Sequence, residues 1–420
     1  MAFQKVTGTQ DFLPQEKEVQ KKVFDTLRKT ALQFGFLEVE TPAIEPVGLL
    51  TAKSGDEITR QLFVLEQKGE EKFALRFDLT VPLSRMFVEN QRTLPKPVKW
   101  FCISRMWRYE RPQKGRLREF YQLSVELFGS TRAEADAECI NLLIACLKNL
   151  GLSEKDFVVR LNNRNLLEGL LEGIVSNDKI ATAVRVIDKA TKITPQEFVI
   201  ECQKEQFSEA QITELKTLLE LKGTPAWILA RLSTWKLSER ARQGLNELNA
   251  VCSLLNSPSI CLSLSTARGL DYYTGTVFEC FDNEGNFRSI AGGGRYDNLV
   301  GLIGGEQTCA TGFAIGYATV AHLLQEKGLL PQPKKQIDYY VIAVTEEVRT
   351  QAYAIAQQLR MRATVDLDLM GRKMAKQLEC AAITRAQTAI IVGPDEVAQG
   401  KVRMRDMKTG NEQLVDIRTL

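Results

Sequence analysis

The chain has 420 residues, 44% hydrophobic and 25% charged, a composition that suits two or three domains with real cores and excludes disordered, collagen-like and fibrous chains. Its Lys and Arg, 55 in all, stand against 52 Asp and Glu for a formal charge of +3, so the bulk balance announces neither a nucleic acid nor a membrane and any basic patch must be local. The one histidine, His322, excludes multi-histidine zinc sites, HExxH metalloprotease chemistry and triads built from several histidines. Catalysis is left to Arg, Lys, Asp, Glu, Tyr, Ser or backbone groups, with no metal held by protein side chains. The nine cysteines contain no CxxC pair and sit mostly in apolar stretches, which reads as buried thiols in a reducing compartment. The start MAFQKVTGTQDFLP has no basic-then-apolar signal pattern, and no apolar run reaches the roughly 18 residues of a membrane span. The expectation is a cytoplasmic protein with no membrane partner.

From Pro14 to Gly35, Val19, Val23, Leu27 and Ala31 recur every four residues, and proline at the start with glycine at the end completes a helix signature. FLEVETPAIEP comes next, then the runs QLFVLEQ and EKFALRFDLT around KGE, which read as a hairpin. Residues 97–128 read as two strands, VKWFCISRMWRYE and FYQLSVELFG, joined by a basic loop. The spacing of Ile140, Leu143, Ile144 and Leu147 predicts a helix from Arg132 to Leu150. Residues 153–260, rich in Leu, Glu and Lys, read as an inserted domain of short helices. From 261 onward the pattern predicts two strands, the glycine-rich AGGGRYD, and a strand, ATGFAIG, running into a helix that carries His322. After the linker LPQPKKQ, residues 336–420 read as βαβαβ with a final hairpin.

The loop from Arg108 to Arg118 packs four arginines and a lysine into eleven residues. It suits either a solvated basic hairpin or a phosphate clamp, because guanidinium forks bind phosphate oxygens bidentately and stay charged when partly desolvated. Asp78, Glu126 and Asp271 stand inside otherwise core-like strand patterns. Buried carboxylates need a cation or an ammonium partner, so together with Arg76, Arg108 and Arg268 they suggest a polar pocket on a sheet face for an amino acid or a nucleotide. AGGGRYD either cradles phosphate or marks a tight sheet crossing. His322 has no assigned chemistry.

Taken together these segments resemble the histidyl-tRNA synthetase family, which belongs to the class II aminoacyl-tRNA synthetases. GTQDFLP resembles its N-terminal signature, ETPAIEP its motif 1, and WRYERPQKGRLREFYQ its motif 2. RGLDYYTGTVFE and AGGGRYDNLV resemble the two stretches peculiar to the histidine enzymes, and DLDLMGRKMAKQLECA their anticodon-binding domain. The resemblance implies an α+β fold: a class II antiparallel sheet flanked by helices, a helical insertion and a C-terminal α/β domain. Its expected bounds are 1–152 and 261–328 for the catalytic core, 153–260 for the insertion and 336–420 for the anticodon-binding domain.

Carried over by position, the resemblance implies that Arg108 and Arg268 are the catalytic arginines at the α-phosphate, Arg108 also reaching the histidine carboxylate. Glu110 would fix the adenine end of ATP and Arg116 its outer phosphates. Asp78, Leu79, Thr80 and Gln122 would hold the α-amino group and polar edge of histidine. Glu126 and Tyr273 would recognise the imidazole nitrogens, with Tyr272 beside them, and Gln113 and Arg118 would meet the tRNA acceptor end. ATP enters with bound Mg2+, and the implied partners are the histidine tRNA, L-histidine and a second copy of the chain, with no DNA. One departure matters: where the family's motif 3 has Glu and Arg, this chain has Ala318 and Thr319. The lost adenine-stacking and phosphate contact is worth on the order of a few kcal/mol, and Arg295 is one candidate to supply the missing cation. Two alternatives stand beside the ligase: a non-charging paralogue, such as the histidine-sensing regulatory subunit of ATP phosphoribosyltransferase, or a nucleic-acid-binding module without chemistry. The 336–420 domain and the retained arginines speak for the ligase.

Overall fold

The computed structural model describes residues 3–52, 61–67, 69–110, 117–268, 272–287, 289–333 and 337–420. They form two compact units, residues 1–331 and 332–420. In the first unit α1 (Pro14–Gln33) starts on a proline and stops where Gly35 takes φ +75°, a conformation that carries no steric cost without a Cβ. The Phe36 N–H then returns to the Ala31 carbonyl, which closes the helix end.

A nine-stranded sheet organises this unit. In chain order its strands are β1 (Leu37–Glu38), β5 (Val98–Trp107), β6 (Glu119–Phe128), β7 (Phe157–Asn163), β8 (Lys222–Gly223), β9 (Ile260–Ser263), β10 (Thr276–Asp282), β11 (Ala291–Arg295) and β12 (Ala310–Gly316). In space the order is β1-β5-β6-β12-β11-β10-β7-β9-β8. Six pairings are antiparallel, and β1·β5 and β7·β9 are parallel. A small antiparallel sheet, β2 (Ile44–Pro46), β4 (Phe73–Leu75) and β3 (Phe63–Val64), lies apart from it, and the helix α2 (Thr80–Asn90) comes after β4.

Strand alternation divides the large sheet into two faces. Phe101, Leu123, Val125, Phe313, Phe278 and Leu161 pack on one side with Val23 and Leu27 of α1 and Ile140, Leu143 and Leu147 of α3 (Ala133–Asn149) in a single core. Each buried Leu or Phe removes enough apolar surface from water to contribute roughly 1.5–3 kcal/mol. On the other face Phe87 of α2 packs with Trp100, Phe128 and Val277 in a smaller core, and the part beside it is left for chemistry.

The segment 153–260 differs from the expected helical insertion at its start. Phe157–Asn163 is an interior strand, hydrogen-bonded to β10 along its whole length and to β9 on the other side. Its alternating side chains are outweighed in the sequence by the Leu- and Glu-rich helices that come after it. Among those helices are α4 (Arg164–Leu171) and α5 (Glu239–Ser253), and their apolar faces join the same core through Leu166, Leu167, Leu245 and Leu248. AGGGRYD is a sheet crossing, with Ala291–Arg295 lying between β10 and β12. The helix α6 (Tyr317–Glu326) leaves β12, and His322 on it faces solvent. Of the cysteines, all free, five are buried and four partly so.

The second unit has the expected order, β13 (Tyr339–Ala343), α7 (Arg349–Arg360), β14 (Val365–Leu367), α8 (Met374–Ile383), β15 (Thr388–Val392), β16 (Lys401–Asp406) and β17 (Glu412–Asp416). Its sheet runs β14-β13-β15-β16-β17, parallel in the first three strands and antiparallel in the hairpin.

Two arginines that the sequence placed at the pocket serve the scaffold instead. Arg76 is 3% exposed and donates to the Thr41, Pro42 and Arg105 carbonyls and the Thr41 and Ser104 hydroxyls, which ties the motif 1 segment to β5. Arg295 pairs with Thr311 in register and projects toward α3. There it donates to Asp136 at 2.9 Å, to the Ser130 and Arg132 carbonyls, and to Asp297 at 3.3 Å. Burial pushes the Asp136 carboxyl from 3.8 up to about 6 despite the adjacent Arg295, because removing a carboxylate from water costs more than its partner returns.

A raised folded-state value means that the native state holds this proton more tightly than the unfolded chain does. The contribution is full at acid pH and is lost as pH rises through about 6. Measured by denaturant unfolding against Asp136→Asn, whose amide does not titrate, the unmodified chain should therefore lose relative stability between about pH 4 and pH 6 and stay level above. A constant difference across that window would contradict this account.

Candidate active site

On the open face of the sheet, neighbouring rungs carry large polar side chains opposite glycine. Glu126 of β6 is in register with Gly312 of β12, which is in register with Gly294 of β11. One rung along, Ser124, Ala314, Gly292 and Glu279 lie in a row. The glycines are required by space. A Cβ at Gly312 would lie 2.0 Å from Glu126 Oε2, one at Gly294 would lie 3.0 Å from the Tyr273 ring, and one at Gly292 would lie 2.3 Å from Arg268 Nη1. The glycine run therefore makes a floor on which the polar side chains lie flat.

Glu126 is 2% exposed and accepts a hydrogen bond from the Tyr296 hydroxyl. Tyr296 packs edge-on to Tyr272 at 5.7 Å, and Tyr272 lies 4.5 Å from Tyr273 with their hydroxyls 3.3 Å apart. Burial first, and then Glu126, holds the Tyr296 hydroxyl well above its ordinary value. Tyr272 is raised by burial, by Tyr273 and by Asp78. These hydroxyls stay protonated at neutral pH and act as donors, while Glu126 supplies an acceptor.

Arg268 completes the wall. Its Nη1 donates to Glu279 at 2.8 Å and its Nη2 to the Tyr273 hydroxyl at 3.5 Å, while its Nε is buried without a hydrogen-bond partner among the described residues. Burial works against its charge, but Tyr273, Glu279 and Tyr272 together raise it above its ordinary value. Its backbone sits at φ +53°, a left-handed conformation costing roughly 1 kcal/mol or more in a residue with a Cβ. A strained, half-buried and permanently charged arginine at a sheet surface marks a functional position.

The β5–β6 hairpin delivers the second cation. Arg108 donates its N–H to the Arg118 carbonyl and its Nε to the Phe77 carbonyl at 3.2 Å, and its guanidinium lies 4.9 Å from the Phe120 ring. It is thereby set beside the segment that carries Asp78, whose Oδ1 accepts from the Val81 N–H at the start of α2. Arg118 donates its Nε to the Glu110 carbonyl, stacks on Tyr109 at 4.9 Å and sends its N–H to the Gly8 carbonyl. The N-terminal segment thus braces the base of the hairpin. Gln122 shares the Glu126 face and donates to Ser124.

The structure therefore brings Glu126, Gln122, Tyr272, Tyr273 and Arg268 to one face, with Arg108, Asp78 and Thr80 at its border. The Leu79 side chain is elsewhere: it is fully buried with Leu83, Cys102 and Met106, so only its backbone is available to a ligand. Gln113, Arg116 and Asp271 lie outside the described residues. Tyr296 and Glu279 were missed in the sequence. Glu279 carried the same signal as Glu126, a carboxylate inside a strand pattern, and Tyr296 was absorbed into the reading of the glycine run.

Ala318 lines a cavity beside the base of the hairpin with Gln10, Phe12, Arg105, Glu119, Phe120, Tyr121 and Tyr317. The cation there is Arg105, bound to Glu119 at 3.0 Å and to the Tyr121 hydroxyl at 2.6 Å. Tyr121 and Tyr317 of this lining pack on Phe24 of α1 at 5.4 and 5.2 Å. Among the described residues no three His, Cys, Asp or Glu side chains are placed to hold a metal, and no helix is long and apolar enough to cross a membrane.

The family described as "Histidyl-tRNA synthetase" matches residues 8–320, and the "Anticodon binding domain" family matches residues 338–420. The histidine–tRNA ligase of Haloarcula marismortui is 38% identical over 99% of this chain and 96% of its own length. That of Thermococcus kodakarensis is 39% identical over 98% and 96%. Among solved structures, histidyl-tRNA synthetase from Nostoc sp. PCC 7120 superposes with a TM-score of 0.80 at 28% identity, covering 100% of this chain and 98% of that one. An ATP phosphoribosyltransferase regulatory subunit/histidyl-tRNA synthetase from Bacillus halodurans gives 0.75 at 26%, covering 94% and 99%. With motif segments, sheet and both matched domains in agreement, the chain belongs to the histidyl-tRNA synthetase family.

Proposed function

We propose that this chain activates L-histidine with ATP and transfers it to the 3′-terminal adenosine of the histidine tRNA. The observation that carries the reading is the wall made by Arg268, Tyr273, Tyr272, Tyr296 and Glu126 on the glycine floor. A neutral imidazole has one N–H donor and one acceptor nitrogen. Glu126 takes the N–H, and the Tyr273 hydroxyl donates to the other nitrogen. A side chain lacking either group leaves buried polar atoms unpaired, which supports discrimination without a second, editing site.

In the first step a histidine carboxylate oxygen attacks the α-phosphorus of ATP and pyrophosphate leaves. Charge develops on the phosphoryl oxygens, and Arg108 and Arg268 meet it as preorganised cations without transferring a proton. Glu110 fixes the adenine end and Arg116 the outer phosphates. Asp78, Thr80, the Leu79 backbone and Gln122 hold the α-amino group and its surroundings. Mg2+ arrives bound to the nucleotide. In the second step a ribose hydroxyl of the terminal adenosine attacks the adenylate carbonyl and AMP leaves, while Gln113 and Arg118 meet the acceptor end. No side-chain nucleophile is needed, in keeping with a chain whose one histidine faces solvent.

The regulatory alternative fits less well, because the 338–420 match to an anticodon-binding domain supports a partner with an anticodon. Exposed Leu37, Ile44, Val64 and Phe73 around the motif 1 segment support a homodimer through that side, and a cytoplasmic location suits the substrates. The domain bounds that fit this reading run from a core of 1–331, interior strand 157–163 included, to an anticodon-binding unit of 332–420.

Histidine-dependent ATP–pyrophosphate exchange followed by charging of the histidine tRNA tests the proposal. Both are expected, and no exchange at millimolar substrates would sink it. Thr319 opens α6 where the family carries an arginine, and Arg295 is engaged elsewhere. Restoring a stacking cation with Thr319→Arg should lower the KM for ATP by about three- to tenfold. An unchanged KM would show that another group already fills that role.

A further inference from the structure

One guanidinium on the open face of the sheet has no acceptor among the described residues. Arg160 of β7 lies in register with Glu279 on one side and Cys261 of β9 on the other, so it projects from the same face as Glu279. Among the described residues its guanidinium meets the Phe281 ring at 4.4 Å and neither a carboxylate nor a hydrogen-bond acceptor, and its Nε is buried. The other arginines near the site each have an acceptor: Arg268, whose Nε is also unpartnered, has Glu279, Arg76 has carbonyls and Arg295 has Asp136. Arg160 lacks such a partner.

A second cation lies nearby. Lys222 of β8 is in register with Ser263, two residues from Cys261 and therefore on the same face. Both cations act on the Cys261 thiol, which burial raises and they lower. Arg160 and Lys222 thus flank Cys261 along one edge of the open face. A donor fork without an acceptor, next to a lysine and partly desolvated, fits a phosphate oxygen.

Position decides which phosphate. Five ladder steps separate β5, which leads into Arg108, from β7, or about 24 Å at the usual strand spacing. On the function proposed above, on which this inference rests, adenine and the outer phosphates of ATP go to the hairpin side. The α-phosphate lies between Arg108 and Arg268. Arg160 stands one strand beyond Glu279, on the side away from the hairpin. The remaining anionic substrate is the RNA strand that must bring its terminal ribose to the adenylate. We propose that Arg160 binds the phosphodiester preceding the terminal adenosine of the tRNA and so serves the transfer step alone.

The full-length chain, wild type, Arg160→Gln and Arg160→Lys, is assayed for pyrophosphate exchange, for the KM of the tRNA, and for single-turnover transfer from preformed adenylate. Arg160→Gln should weaken tRNA use about tenfold and reduce the slope of log KM against log salt by about one, as expected for one lost phosphate contact. Exchange should stay within about twofold of wild type, on the general scale of a residue outside the first step. Arg160→Lys keeps a cation and a stem on Phe281, and should restore part of the loss, which separates charge from folding. Unchanged transfer with only a lower melting temperature would assign Arg160 to packing and overturn the inference. A parallel fall in exchange with a raised KM for ATP would assign the phosphate to ATP and overturn it equally. A wild-type chain that activates no histidine refutes the ligase reading itself, whereas equal charging by wild type and Arg160→Gln refutes this inference alone.

Discussion

The site depends on side chains that are absent. At Gly292, Gly294 and Gly312 a single methyl group would occupy the space now taken by Arg268, the Tyr273 ring and Glu126. Because the strands are only about 5 Å apart, a polar side chain can lie across a neighbouring strand only where that strand has nothing to raise against it. The three glycines sit on adjacent strands that pair with each other and with β6 and β10. Their alignment converts a flat ladder into a recess one side chain deep. Imidazole recognition and the Arg268 share of the charge on the α-phosphate use groups that this recess admits, while Arg108 comes from the hairpin at its border.

Rigidity on the opposite face makes the recess usable. The α1 and α3 helices bury Leu27, Ala31, Leu143 and Leu147 against Phe101, Leu123 and Val125, so β5 and β6 cannot shift independently. Arg295, tied to Asp136 and to the carbonyls before α3, holds the strand that carries the glycines. The Arg295 carbonyl accepts the Thr274 N–H, and this fixes the chain just after Tyr272 and Tyr273. A charged group preorganised in this way needs no rearrangement when charge develops on a substrate, which is the main advantage of electrostatic catalysis.

Much of this was legible from particular residues. The 98–128 hairpin came from alternation around a basic loop, and its strands pair from Val98 with Phe128 to Trp107 with Glu119. Glu126, a carboxylate in a core-like strand, pointed to a pocket because such a group needs a partner, although the partner, Tyr296, lies 170 residues away. Glu279 had the same signal at the end of the RGLDYYTGTVFE segment, where the arginine and the two tyrosines drew the reading. Arg76 and Arg295 were misplaced for one physical reason: sequence shows a cation near a site but not which face of its strand it leaves. Strand 157–163 was hidden because composition averaged over a long helical stretch outweighs seven residues of period-two pattern.

The most direct test of the glycine floor is a double-mutant cycle of Gly292→Ala and Arg268→Gln, read by histidine-dependent pyrophosphate exchange. The new methyl at 292 meets the mobile end of Arg268, Nη1 at 2.3 Å, so the chain should fold while its arginine is displaced. Each single change should lower exchange by about 10²- to 10³-fold, as loss of a charge-stabilising donor does, and the double variant should be no worse than either. Wild-type exchange in a folded Gly292→Ala chain, or two losses that multiply, would contradict the account.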